Sequence, residues 1–244
     1  MGNAFHTTKV AKERDEFFGE LYSCLPKLNE ITGNGQFNAK ARRFHKIFLP
    51  IYVMKRYCPT GLQSQYSHAI FTYAIECEAI FALGMRNAAM ATLRTYLESA
   101  FKLLYYEYHP VENIVHHLVG GRSLRGSEFR EFLYSFPGLS DISMFKRECV
   151  ESLWTELCKF AHGDVHSIEK YGIVADIKSA FTFNEADFAT TILVVQRVHK
   201  LIIAILFAAK SDWAAQMEKA LFDTVFQDFT AAEQGEIKSH LRVE

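Results

Sequence analysis

Proline is scarce in this chain, with 5 residues in 244. Long stretches therefore run without a helix breaker, which favours helices over a β-sandwich and its frequent turn signals. Cysteine is just as sparse. Cys24, Cys58, Cys77, Cys149 and Cys158 are odd in number, and no pair has CxxC spacing. They read as reduced core residues of a cytoplasmic protein, not as a disulfide framework. The opening residues lack the pattern of a signal peptide, which fits the same expectation. No GKS or GKT follows the glycine-rich loop Gly120-Gly121-Arg122-Ser123-Leu124-Arg125-Gly126, so it is not a P-loop. A GxSxG nucleophile elbow is also missing. The most apolar window, Ile192 to Ala209, still carries Gln196, Arg197, His199 and Lys200. A membrane span tolerates such residues only in a special role, so a buried bundle helix and no membrane are expected.

Apolar residues are plentiful. They make up 49% of the chain, and 21 phenylalanines dominate an aromatic share of 14%, enough for a sizeable core. With 27 basic and 28 acidic residues the chain is close to neutral, which excludes a globally basic nucleic-acid protein. The charge is uneven, however. No acidic residue lies between Glu30 and Glu76, whereas Lys40, Arg42, Arg43, Lys46, Lys55 and Arg56 are all basic. This run is either a contact surface for phosphates or a solvated face that pairs with acids elsewhere in the fold.

Periodicity predicts helices over 8–25, 39–57, 64–84, 86–108, 111–119 and 127–135. Further helices are predicted from a cap at Ser140 or Asp141 to about 161, then over 185–209, 213–226 and 231–241. Asn38 is the expected N-cap of the second helix, and Pro50 should kink it. Glu76 and Glu78, the only charges of the third, face different sides, so at least one should lie near the core. Thr230 and Glu233 form a capping box for the last helix. The expectation is one all-α domain over 1–244, an up-down bundle of about eight to ten helices.

The stretch Arg86 to Tyr108 organises the rest. Met90, Leu93, Leu97, Ala100 and Leu104 recur at helical steps, and Arg94 and Glu98 flank that stripe four residues apart. A later segment, LWTELCKFAHGDVH from Leu153 to His166, should pack against it and bring Arg94, Glu98 and His162 together. His162 and His166 share helical i, i+4 spacing. A zincin needs Glu after the first histidine, where this chain has Gly163, and no third ligand is near, so neither metal nor cofactor is expected. Cys158 is also four residues from His162, which reads as a buried thiol beneath a histidine. An arginine and a histidine at one point can cleave RNA without a metal. The histidine takes the ribose 2′-OH proton, the arginine neutralises the scissile phosphate, and Glu98 orients either one. Arg86, Lys159 and His166 lie at the edges of this group, and Lys40, Arg42, Arg43 and Lys46 are the other candidate contacts to nucleic acid. The alternative is a buried hydrogen-bonded network that locks two helices together.

The sequence Leu93-Arg94-Thr95-Tyr96-Leu97-Glu98, followed by LWxELxxFxHG over Leu153 to Gly163, resembles the HEPN-like superfamily of prokaryotic helical domains. The resemblance spans about 66–166 and implies an up-down bundle with a core over roughly 66–209. It further implies a homodimer with a composite site, and a role in toxin–antitoxin or antiviral defence systems, often as a ribonuclease. That superfamily's ribonucleases usually carry Arg, then four to six residues, then His, on a single helix. This chain has no such pair, so a catalytic arginine has to come from another helix, as Arg94 or Arg86. Non-catalytic modules that bind or regulate a partner protein are the other outcome the resemblance implies.

Overall fold

A computed structural model describes residues 35–55, 65–82, 86–109, 126–143, 153–161, 185–209 and 219–241. Among these residues there is no strand. Eight α-helices and one 3-10 turn account for nearly all of them. The helices are α1 (Gly35–Lys55), α2 (Gln65–Ala82), α3 (Arg86–Tyr108), α4 (Gly126–Ser135), α5 (Leu153–Ala161), α6 (Glu185–Ala209), α7 (Lys219–Val225) and α8 (Ala231–Leu241). The 3-10 turn, Leu139–Asp141, follows α4. The expected helices over 8–25 and 111–119, and the segment HGDVH, lie outside the described residues.

Side-chain contacts fix the direction of each helix. Tyr66 of α2 stacks on Tyr106 of α3 with ring centroids 5.1 Å apart, so these two helices form an antiparallel hairpin. Arg86 Nε donates to Thr191 Oγ1 at 2.8 Å near the starts of α3 and α6. Tyr108 Oη donates to the Ala208 carbonyl at 3.3 Å near their ends, so α3 and α6 run parallel. Phe44 of α1 meets Phe81 at the end of α2 at 4.7 Å and Phe188 at the start of α6 at 5.3 Å. The starts of α1, α3 and α6 therefore share one end of the bundle, called here the near end. Tyr108 and Ala208 mark the far end. α5 descends antiparallel along α3, with Trp154 5.4 Å from Phe101 and Phe160 beside Arg86.

α6 is the apolar axis. Every residue from Leu201 to Ala209 is buried, because α1, α3 and α8 pack on this helix and Phe222 of α7 reaches Phe207. A helix apolar on all sides needs such wrapping. By length and composition its segment Phe188–Ala209 could also cross a membrane, but most of it is buried inside the protein. Arg197 and Lys200, the charges in its middle, point to Glu156 of α5 at 3.9 Å and Glu233 of α8 at 2.8 Å. Beyond α6 the chain doubles back. Phe226 stacks on Phe207 at 5.5 Å, and the Thr230 capping box starts α8, with Thr230 N donating to Glu233 Oε2 at 2.9 Å and Glu233 N to Thr230 Oγ1 at 3.2 Å. This reciprocal pair satisfies two amides that no helical carbonyl can reach.

One expectation for α1 is corrected. The helix begins at Gly35, so Asn38 lies inside its first turn and is not the N-cap. Pro50 sits inside α1, which runs on past it as one element of 21 residues.

Candidate functional site

The helices α3 and α5 meet as the sequence suggested, and Arg94 stands at their contact. Its guanidinium carbon lies 5.2 Å from the Trp154 ring centroid, and its Nε is buried without a hydrogen-bond partner. Glu98 does not pair with it. The Glu98 carboxylate takes Lys102 Nζ at 3.0 Å, one turn further along α3. Glutamate placed N-terminal to lysine at i, i+4 is the favoured order on a helix, and the indole competes for the arginine. His162 and His166 lie outside the described residues.

Other candidate cations lie at the near end. Arg86, 9% exposed, holds Thr191 through Nε, and its guanidinium sits 5.7 Å from the Phe160 ring. From the other side, Lys40 Nζ and the Arg43 guanidinium lie 5.4 Å and 5.3 Å from the Phe188 ring. Phe188 and Thr191 are three residues apart on α6 and so share one face. Cations from α1 and α3 thus flank the first turns of α6. Arg42, Arg43 and Lys46 are exposed on α1, and Lys159 is exposed on α5.

A second polar cluster is largely internal and was not anticipated as a unit. Glu78, 1% exposed, accepts from Tyr52 Oη at 2.5 Å, and its other oxygen lies 2.9 Å from His45 Nδ1. Glu76 is exposed, so the expectation that one of the two acids enters the core holds for Glu78. The sequence signal was an acid in an otherwise apolar helix. Burial, followed by the charge and hydrogen bond of Glu78, raises the Tyr52 hydroxyl well above the usual phenol range. Burial also raises the Cys77 thiol, with Glu76 adding to the effect. This keeps the sulfur protonated, which makes it a poor nucleophile.

Tyr96 and His199 extend the polar group inward. Their rings are 5.4 Å apart, and His199 meets Phe48 edge-to-face at 4.3 Å. His199 Nδ1 lies 2.9 Å from the Val195 carbonyl, one turn back, while Nε2 and the Tyr96 hydroxyl have no hydrogen-bond partner. Burial lowers the His199 pKa to about 4, partly offset by that carbonyl. These internal groups can fix helix register, but they present no reactive atom to solvent. Among the described residues no group of three or more His, Cys, Asp or Glu could hold a metal ion. Cys77 and Cys158 are free thiols, the former buried and the latter half-buried. A scan of protein-family models, a search of curated proteins and a search of solved structures each return no match to this chain.

Proposed function

We propose that this protein is a HEPN-like effector that engages RNA in a prokaryotic defence or toxin–antitoxin system, as a homodimer, and cleaves it without a metal ion. The observation that supports this is the placement of Lys40, Arg43 and Arg86 around Phe188 and Thr191, at the end of the bundle where α5 terminates. Lys40 and Arg43, the start of the basic run, therefore share an end with Arg86 and Lys159. α5 is antiparallel to α3, so its last turn faces Arg86 and its first turn faces Arg94. In this reading Arg86 neutralises the scissile phosphate, His162 is the general base, and Arg94 positions α5 through Trp154.

Total RNA incubated with the pure protein, with and without a chelator, tests the reading. Cleavage that survives the chelator and disappears in His162→Ala is the expected result. Binding through three phosphate contacts should make log Kobs fall against log[salt] with a slope of about −2, and Lys40→Glu with Arg43→Glu should bring it to about −0.7. RNA binding that ignores this double reversal would overturn the assignment of the near end. A homodimer inert toward RNA would support the second reading, a non-catalytic module that docks a partner protein.

A further inference from the structure

We propose that the far end of the bundle, remote from the cationic end, holds a binding site for a small organic cation of the alkylammonium class. A cavity of about 730 Å³ opens there, a size usual for small-molecule sites. Three independent features give the charge of its ligand.

Aromatic rings supply the first. Tyr108 and Phe136 lie edge-to-face at 4.8 Å, and Phe132 meets Phe136 edge-to-face at 5.7 Å. All three rings line the cavity, and aromatic rings attract cations through their π faces. Tyr108 is 53% exposed, yet its hydroxyl is anchored on the Ala208 carbonyl, so the ring is held in place at the opening.

Backbone dipoles are the second. α3 ends at Tyr108 and α4 at Ser135, and the last turn of each contributes to the wall, together with Ala208 of α6 and Ser239, His240 and Leu241 of α8. A helix C-terminus carries partial negative charge. Two of them beside one cavity favour a positive guest and oppose an anion.

The third is Asp141, whose exposed side chain comes from the 3-10 turn, while no lysine or arginine is among the described lining residues. A hydrated metal ion would use the carboxylate but gain little from the rings. An ammonium group with alkyl substituents uses both.

Choline serves as the probe, and 3,3-dimethylbutan-1-ol as its uncharged isostere. Calorimetric titration of the full chain at pH 8 should show saturable choline binding, with the isostere weaker by about tenfold or more. Asp141→Asn should weaken choline by about tenfold and leave the melting temperature unchanged, because the side chain is solvated. Tyr108→Leu should remove binding. Amide shifts on choline addition should cluster at Tyr108, Asp141 and Ser239. Equal binding of the isostere, no saturable heat in the millimolar range, or shifts centred elsewhere would each overturn the proposal. RNA binding at the near end should be unchanged in both variants, so the two ends succeed or fail separately.

Discussion

Gln227 Nε2 donates to the Lys46 carbonyl at 2.7 Å, and that carbonyl belongs to the residue four before Pro50. Proline has no N–H, so the helical partner of Lys46 is missing by construction. A side chain from the turn after α7 takes its place, which explains how α1 continues through the proline. Gln227→Ala should therefore cost about 1 kcal/mol in urea denaturation. In a Pro50→Ala background, where residue 50 regains its donor, the same change should cost almost nothing. Equal costs in the two backgrounds would show that Gln227 does not compensate for the proline.

Glu78 ties α1 to α2 from inside the core. Tyr52 and His45, seven residues apart, come from the same face of α1 and close on its two oxygens. Glu78→Ala would strand both groups in a dry interior, and a loss of about 3 kcal/mol is expected. Glu78→Gln keeps an acceptor for Tyr52 and should lose clearly less. A Glu78→Ala protein with an unchanged denaturation midpoint would mean that water reaches the cluster.

His199 makes stability depend on pH. Its folded pKa, about 4, lies below the ordinary 6.5 because the imidazole is wholly buried. Above pH 6.5 both folded and unfolded forms are neutral, and the contribution is fully present. As pH falls from 6.5 toward 4, the unfolded chain takes up a proton that the folded chain refuses, and stability is lost. Between pH 7 and pH 5 the loss from this residue should be roughly 2 kcal/mol. His199→Leu should flatten the profile over that window. A variant as pH-sensitive as the parent would place the titration elsewhere.

Much of this fold was legible in the sequence, and the illegible parts have a common cause. The bounds of α3, α6 and α8 follow from apolar periodicity and, for α8, from the Thr230–Glu233 box, which are local signals. The burial of Glu78 was half visible, because an acid amid Ala, Ile and Phe has few solvated directions. Its partners were not visible. His45 lies between Phe44 and Lys46 in a basic run, and nothing local says that it turns inward while Lys46 stays outside. The partners of Arg94 and Glu98 were hidden for the same reason. Glu98 has cations one turn away on both sides, and Trp154 of α5 decides which of them it keeps. The cations around Phe188 were individually apparent as a basic run, but their convergence with Arg86 depends on α3 and α6 running parallel.

Gly138 adopts φ +84°, and a Cβ there would lie 2.5 Å from the His240 carbonyl oxygen. The close approach lets the turn after α4 seat against the end of α8, where Ser143 N also donates to Glu236 Oε2 at 2.9 Å. Gly138→Ala incurs both left-handed strain and a backbone clash, so a loss of more than about 2 kcal/mol is expected. Hydrogen exchange should localise the damage to the second half of α8, including the Ile237 and Leu241 amides. Full protection there would show that the turn can rearrange without cost. Gly235, by contrast, has nothing within 4 Å of its would-be Cβ, so Gly235→Ala serves as the control and should be neutral or mildly stabilising inside the helix.

Arg94 offers the sharpest separation between the two partners considered for it. The guanidinium lies on the Trp154 ring, and the Glu98 carboxylate is held by Lys102. A double-mutant cycle with Arg94→Met and Trp154→Leu should return a coupling of about 1 kcal/mol, the range of a partly desolvated cation on an aromatic face. The cycle with Arg94→Met and Glu98→Gln should stay below about 0.5 kcal/mol, since the second change breaks an ion pair that Arg94 does not share. Methionine keeps most of the arginine stem, so packing against α5 is preserved and the first cycle reads the charge on the ring. A large coupling to Glu98 together with none to Trp154 would restore the ion pair and remove the indole as the group that fixes Arg94 between α3 and α5.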